Sequence, residues 1–166
     1  VKGNGSKQLA LASSVATLAI SLLSIFVYTS VKFGNFDASW IPTLGTRFTL
    51  SLDGMSKMLT LLAAISFPII FAATYKNEYK NANQFYALML LTQTGLMGVF
   101  LAADCLLFYF FWELALIPAY FLCSQWGGEK RIQATFKFFI YTFAGSLLML
   151  VGIIYLYISM PTPSFS

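Results

Sequence analysis

Apolar residues run along this chain in five long stretches separated by short polar breaks. The stretches cover residues 8–30, 58–75, 85–103, 105–126 and 138–157. A helix rises about 1.5 Å per residue, so roughly 18–25 apolar residues carry it across the ~30 Å hydrocarbon layer of a bilayer. Each stretch is apolar on most of its helical faces, as suits a helix surrounded by lipid or by other helices. The pattern predicts an all-α integral membrane fold of about five transmembrane helices, with residues 1–166 forming a single membrane domain.

The breaks differ in kind. Within residues 31–54, the run Arg47-Phe48-Thr49-Leu50-Ser51-Leu52-Asp53 alternates polar and apolar with the period of a strand, and Pro42 and Gly45 punctuate its approach. This predicts a short extramembrane hairpin lying at the membrane surface. Asp53-Gly54 ends the strand, and Asp53 or Ser56 is suited to cap the next helix. Only Ala103-Asp104 separates the third and fourth stretches, which makes them antiparallel neighbours around a tight turn with Asp104 as a helix cap. Pro68 and Pro118 fall inside stretches, where each removes one backbone hydrogen bond and kinks its helix.

Composition agrees with a lipid environment and excludes others. Hydrophobic residues make up 58% of the chain and charged residues 10%, whereas soluble domains carry about 25% charge. Ten basic and six acidic side chains cannot cover the surface of a soluble enzyme of this length. The net charge of +4 comes from basic residues scattered singly, without the stripe or tract of a nucleic-acid-binding protein. There is no histidine, and no Cys and carboxylate spacing suits a metal, so no metal or iron–sulfur site is expected. Cys105 and Cys123 share one predicted helix about 27 Å apart, beyond the reach of a disulfide. Val1-Lys2-Gly3 lacks a starting Met and any signal-peptide organisation, so the chain is expected to be cut at its start.

Basic residues also set an orientation. With the first residues inside, Lys2, Lys7, Lys76, Lys80, Lys130, Arg131 and Lys137 fall on one side and Lys32, Arg47 and Lys57 on the other. The positive-inside rule then places the larger group on the cytoplasmic or matrix side. An additional preceding helix would start the intact protein outside. Tyr28, Trp40, Tyr75, Tyr86, Trp126 and Tyr157 fall near the predicted interfaces and read as an aromatic belt.

Candidate chemistry centres on Glu113, which stands nine positions from Asp104 and thirteen from Trp126 in the fourth stretch. A carboxylate at that depth is disfavoured by about 2.5–3.5 kcal/mol on insertion scales, so it usually faces a partner or a hydrated path. Hydrocarbon disfavours its charged form and a neighbouring cation favours it, which is the property of a gated proton site. At 100° per residue, Tyr109, Glu113, Tyr120 and Ser124 share one face, and Pro118 leaves the Leu114 carbonyl without its helical donor. The bland alternative is a protonated Glu113 that serves as an interhelical hydrogen-bond donor. Lys137 either reaches to the interface or points inward along a seam with Tyr141, Gly145 and Gly152. Lys57 is read as reaching the interface, and Thr92, Gln93 and Thr94 as interhelical hydrogen-bond groups.

From Asp53-Gly54-Met55-Ser56 onward the chain resembles the antiporter-like membrane subunits of respiratory complex I. The matching words are Gly98-Val99-Phe100, residues 111–121 (FWELALIPAYF), Trp126-Gly127-Gly128-Glu129-Lys130-Arg131, Lys137-Phe138-Phe139-Ile140-Tyr141-Thr142 and residues 144–150 (AGSLLML). The loop Trp40-Ile41-Pro42 with Leu44-Gly45 also fits.

The resemblance implies that Glu113 is the family's essential glutamate, paired with a lysine on a later helix. It implies a larger subunit of about fourteen helices, of which these five would be the second to sixth. The function implied is that of a proton-translocating, non-redox subunit of an NADH:quinone oxidoreductase in a bacterial or mitochondrial inner membrane. No cofactor is implied in this chain; NAD, flavin, iron–sulfur clusters and quinone would belong to partner subunits. The implied partners are the other membrane subunits, including neighbouring antiporter-like ones, and the lipid bilayer, with no nucleic acid. The related multisubunit cation/proton antiporters are the alternative, and a membrane protein using these helices only for packing is a third reading.

Overall fold

The computed structural model describes residues 4–27, 36–42 and 45–159, without the side chains of residues 4 and 25–27. Five helices occupy the five apolar stretches: α1 (Asn4–Val27), α2 (Gly54–Thr74), α3 (Ala82–Leu101), α4 (Cys105–Trp126) and α5 (Arg131–Ser159). Each is long and apolar enough to cross a membrane. Strands β1 (Phe36–Ile41) and β2 (Thr46–Leu50) form the hairpin anticipated between the first two helices. Residues 28–35, where the first span was expected to end and the hairpin loop to begin, lie outside the described residues, as do Lys2 and Lys32.

Four helices start earlier than their apolar stretches, and α2 and α5 show why. The first turn of α2 begins at Gly54 because Asp53 Oδ1 accepts the Ser56 N–H at 2.6 Å, a cap that organises polar residues ahead of the hydrophobic run. Likewise α5 begins at Arg131 rather than Phe138, since the polar turns from Arg131 to Lys137 continue the helix beyond the hydropathic boundary.

One end of the bundle is tied together by polar contacts to backbone carbonyls. Lys7 Nζ donates to Tyr75 O at 2.9 Å and to Asn77 O at 3.0 Å, satisfying carbonyls just past the end of α2. Trp126 Nε1 donates to Lys80 O at 3.0 Å while its ring meets Phe85 edge-on. These contacts bring the start of α1, the α2–α3 connection and the end of α4 to the same end. The apolar core lies just inside it, around Ala10, Phe67, Phe71, Phe85 and Tyr86. Tyr86, expected in an interfacial belt, is instead 1% exposed and donates its hydroxyl to Thr74 O at 3.1 Å.

Helices α3 and α4 approach each other closely. A Cβ added at Gly95 would sit 2.8 Å from the Ala115 backbone nitrogen, and one at Gly98 would fall into the Phe111 ring. Glycine at these positions lets the two backbones approach. Thr92 and Thr94, anticipated as interhelical groups, donate to Leu88 O and Leu90 O of their own helix, both at 2.9 Å. The i−4 carbonyl is the nearest acceptor for a helical threonine in an apolar setting, and it wins over a neighbouring helix. Gln93 is buried, and among the described residues both ends of its amide lack a hydrogen-bond partner.

At the other end the hairpin docks on the α3–α4 turn. Its strands pair antiparallel from Phe36↔Leu50 to Ile41↔Thr46, with an irregularity between Ser39 and Ile41. The turn is closed by the Gly45 N–H donating to Pro42 O at 3.2 Å, with Gly45 at φ 66°, which favours glycine. The outer edge of β2 continues into the turn: Ala103 N–H donates to Thr49 O and Ser51 N–H to Leu101 O, both at 2.9 Å. Trp40 packs edge-on against Phe110, and Phe48 against Phe111, so aromatic contacts reinforce the backbone ones.

Candidate proton site

Asp104 fixes where α4 begins, and so fixes the position of Glu113 along it. Its Oδ1 accepts the N–H groups of Leu106 (2.9 Å) and Leu107 (3.0 Å), the capping role read from the sequence. Its Oδ2 accepts the Arg47 N–H at 3.2 Å, a link to the hairpin that the sequence did not suggest. From that cap, nine residues of helix carry Glu113 about 13.5 Å inward, near the middle of a helix about 33 Å long.

Glu113 is half-buried and turned toward α5, where Ser146 Oγ donates to its Oε1. Ser146 is buried, at 4% exposure, and its Oγ also lies 3.0 Å from Phe143 O. The Tyr109 hydroxyl, one turn from Glu113 toward Asp104, interacts with both the Glu113 carboxyl and Ser146. Two hydroxyls and one carboxyl from two helices therefore meet near the middle of α4.

The remaining anticipated residues divide. The Tyr120 ring packs on Phe139 of α5 with centroids 5.0 Å apart, so it shares the α4–α5 interface without joining the polar group. Ser124 donates to Phe121 O of its own helix at 3.2 Å. Pro118 is fully buried and, lacking an N–H, leaves Leu114 O without its helical donor, as anticipated. Lys137 is exposed, and it lies about 13.5 Å along α5 from Ser146. It is not brought to Glu113. The glycine seam on its face is unfilled, since a Cβ at Gly145 or Gly152 would meet nothing within 4 Å. Cys105 and Cys123 are free thiols.

Ser146 is the residue that sequence reasoning missed. Its signal was faint: a lone hydroxyl in the apolar run from Ala144 to Val151, on the helix after the one carrying Glu113. Antiparallel packing puts Ser146 level with Glu113 just as it puts Phe139 level with Tyr120.

Comparison with known proteins bears on what this site belongs to. Residues 102–166, which include all of α4 and the described α5, match the family described as NADH:quinone oxidoreductase/Mrp antiporter, transmembrane. F(420)H(2) dehydrogenase subunit M of Methanosarcina mazei is 43% identical over 144 residues, covering 84% of this chain and 29% of that protein. NADH-quinone oxidoreductase subunit M of Rhodobacter capsulatus is 36% identical over 154 residues, covering 91% of this chain and 30% of that protein. Over most of its length the chain is similar to these membrane subunits, and its last 65 residues match the family model. It spans less than a third of the length of these two relatives. The fold agrees, since the solved respiratory complex I of Thermus thermophilus contains a chain that superposes with a TM-score of 0.79 at 29% identity. That match covers 94% of this chain and 33% of the other. With five candidate spans and this similarity, the chain is a multi-pass membrane protein.

Proposed function

We propose that the chain is part of a proton-translocating membrane subunit of a quinone-linked oxidoreductase, and that Glu113 is the carboxyl that takes up and releases the proton. The observation that carries this reading is the position of Glu113 near mid-helix, held by Ser146 and close to Tyr109. A carboxyl at that depth has hydroxyl partners in either charge state, and hydroxyls or intervening waters can relay a proton to it. The subunit carries no redox step of its own in this reading. Flavin, iron–sulfur clusters, the electron donor and quinone are assigned to partner subunits, and the partners are the other membrane subunits of the complex.

Relatives named for F(420)H(2) and for NADH both align with this chain, so the choice of electron donor is assigned to those partners rather than to these helices. The resemblance adds a lysine on a further helix whose approach and withdrawal would set the charge of Glu113. A role in a multisubunit cation/proton antiporter is the second reading, kept because the matched family includes Mrp antiporters. The relatives at 43% and 36% identity are oxidoreductase subunits, which favours the first.

The test is Glu113→Gln in the intact complex, with protons moved per electron donor oxidised measured in membrane vesicles and complex abundance checked on a native gel. Gln keeps hydrogen-bonding capacity and loses titration, so pumping should be largely abolished at normal abundance, and Glu113→Asp should retain part of it. Full pumping by the Gln variant would assign Glu113 to packing alone.

A further inference from the structure

Ser146 Oγ carries one hydrogen and faces two acceptors, the Glu113 carboxyl and the Phe143 carbonyl. The hydrogen can serve only one of them at a time. When Glu113 is ionised, its oxygen is an acceptor only, and the serine O–H points at it. When Glu113 is protonated, its own O–H can donate to the serine oxygen, and the serine O–H turns to Phe143 O. Both arrangements leave the buried polar atoms of the pair satisfied. An alanine here would satisfy neither, at a site where unpaired polar groups are costly.

We infer that Ser146 is a positioning residue whose hydroxyl follows the protonation state of Glu113, keeping the carboxyl hydrogen-bonded to α5 whether neutral or charged. No serine bond breaks in this cycle: the proton arrives on and leaves from the Glu113 carboxyl, and the serine hydroxyl only rotates. Tyr109 is the other titratable group at the pair, from α4 itself. On α5 the charged residue nearest in sequence is Lys137, two and a half turns from Ser146. The inference rests on Glu113 being the titrating carboxyl.

The experiment is infrared difference spectroscopy of the intact membrane complex in lipid, acid minus alkaline, with the Glu113 acid carbonyl band assigned by its disappearance in Glu113→Gln. In Ser146→Ala the band should move to higher frequency as the acid loses one of its two hydroxyl partners, and pumping should fall about tenfold, the effect of one hydrogen bond to a charged group. Ser146→Thr keeps the hydroxyl and should return the band and most of the pumping. An unmoved band in Ser146→Ala, or a Thr variant as impaired as Ala, would overturn the role given to Ser146 while leaving Glu113 as the proton site. Absence of any titrating band lost in Glu113→Gln would remove the proton-site reading and this one with it.

Discussion

Replacing Asp104 separates two jobs that one buried carboxylate performs. Its side chain is 1% exposed and accepts three backbone N–H groups, two from the first turn of α4 and one from Arg47 in β2. In Asp104→Ala all three donors lose their partner. Loss of an N-cap costs about 0.5–2 kcal/mol, and each buried orphaned donor about 1–3 kcal/mol. Water reaching the opened site offsets part of this, so about 3 kcal/mol is the expected destabilisation. Asp104→Asn keeps the carbonyl oxygen and can still cap α4 through it, but it puts an amide N–H₂ where Oδ2 accepted from Arg47. Two donors then face each other, and the hairpin link is lost at a cost of about 1 kcal/mol.

Hydrogen exchange in detergent or nanodiscs reads the two jobs independently. In the Asn variant the Arg47 amide should exchange faster, while Leu106 and Leu107 keep their protection. In the Ala variant all three should lose protection, and the midpoint of denaturant unfolding should fall further. Unchanged Arg47 protection in Asp104→Asn, or equal loss of all three amides in both variants, would refute the division of labour.

Four other outcomes follow. Gly95→Val should destabilise the α3–α4 pair by about 1–3 kcal/mol or prevent its assembly, because a Cβ there meets Ala115 backbone atoms at 2.8–2.9 Å that cannot move independently; a cysteine crosslink between the two helices would report it. The hairpin and the start of α2 should loosen in acid: the side-chain hydrogen bond from Arg47 holds the Asp37 carboxyl below its ordinary 3.8, and the backbone N–H of Ser56 does so for Asp53. A carboxylate lowered in the folded state stabilises above its unfolded pKa and stops doing so as pH falls through the folded one, so exchange of the Thr49 and Ser56 amides should rise only below about pH 4. Asp37→Asn should remove the hairpin part of that response, as should high salt in part, because the Arg47–Asp37 bridge at 2.6 Å is solvent-exposed. Single cysteines at Lys80 and Gly128 should react with a membrane-impermeant label from one face and a cysteine at Ala38 from the other; same-side labelling of all three would reject the proposed orientation.

Much of this architecture was legible because the bilayer simplifies the code. Without water to satisfy backbone groups, a long apolar run has helix as its outcome, and the five runs became five helices. The hairpin was legible from the period-two alternation around Phe48 and from Gly45, and both N-caps from Asp53 and Asp104. Boundaries were less so where hydropathy and helix part company, as at Arg131, whose turns are polar yet helical. At the site, Glu113 announced itself by its cost in hydrocarbon, and Tyr109 by sharing its face. Ser146 did not, since a serine costs little in a helix and only the α4–α5 register reveals that it faces a carboxyl. The threonines of α3 misled for the same reason: a hydroxyl that can bond back to its own helix carries little information about neighbours.

The placement of Glu113 gives the two kinds of variant separate readouts. Helix α4 is held from three directions: Asp104 and the hairpin fix its first turn, Gly95 and Gly98 bring α3 against its length, and Trp126 ties its last turn to Lys80. Helix α5, in contrast, packs chiefly on α4 and leaves large side chains such as Leu148 and Tyr155 exposed on its other faces. The carboxyl therefore sits on the most buttressed helix and its serine partner on the least. Substitutions at Gly95 or Asp104 act through the α3–α4–hairpin unit, so they should lower stability and assembly before they alter the hydrogen bonding of Glu113. Substitutions at Ser146 leave that unit intact and remove only the serine's own polar contacts to Glu113 and Tyr109. Under the proposed function, a Ser146→Ala complex that assembled normally yet pumped poorly would therefore locate its defect in the carboxyl's hydrogen bonding, whereas a Gly95→Val complex should lose pumping only in proportion to lost abundance.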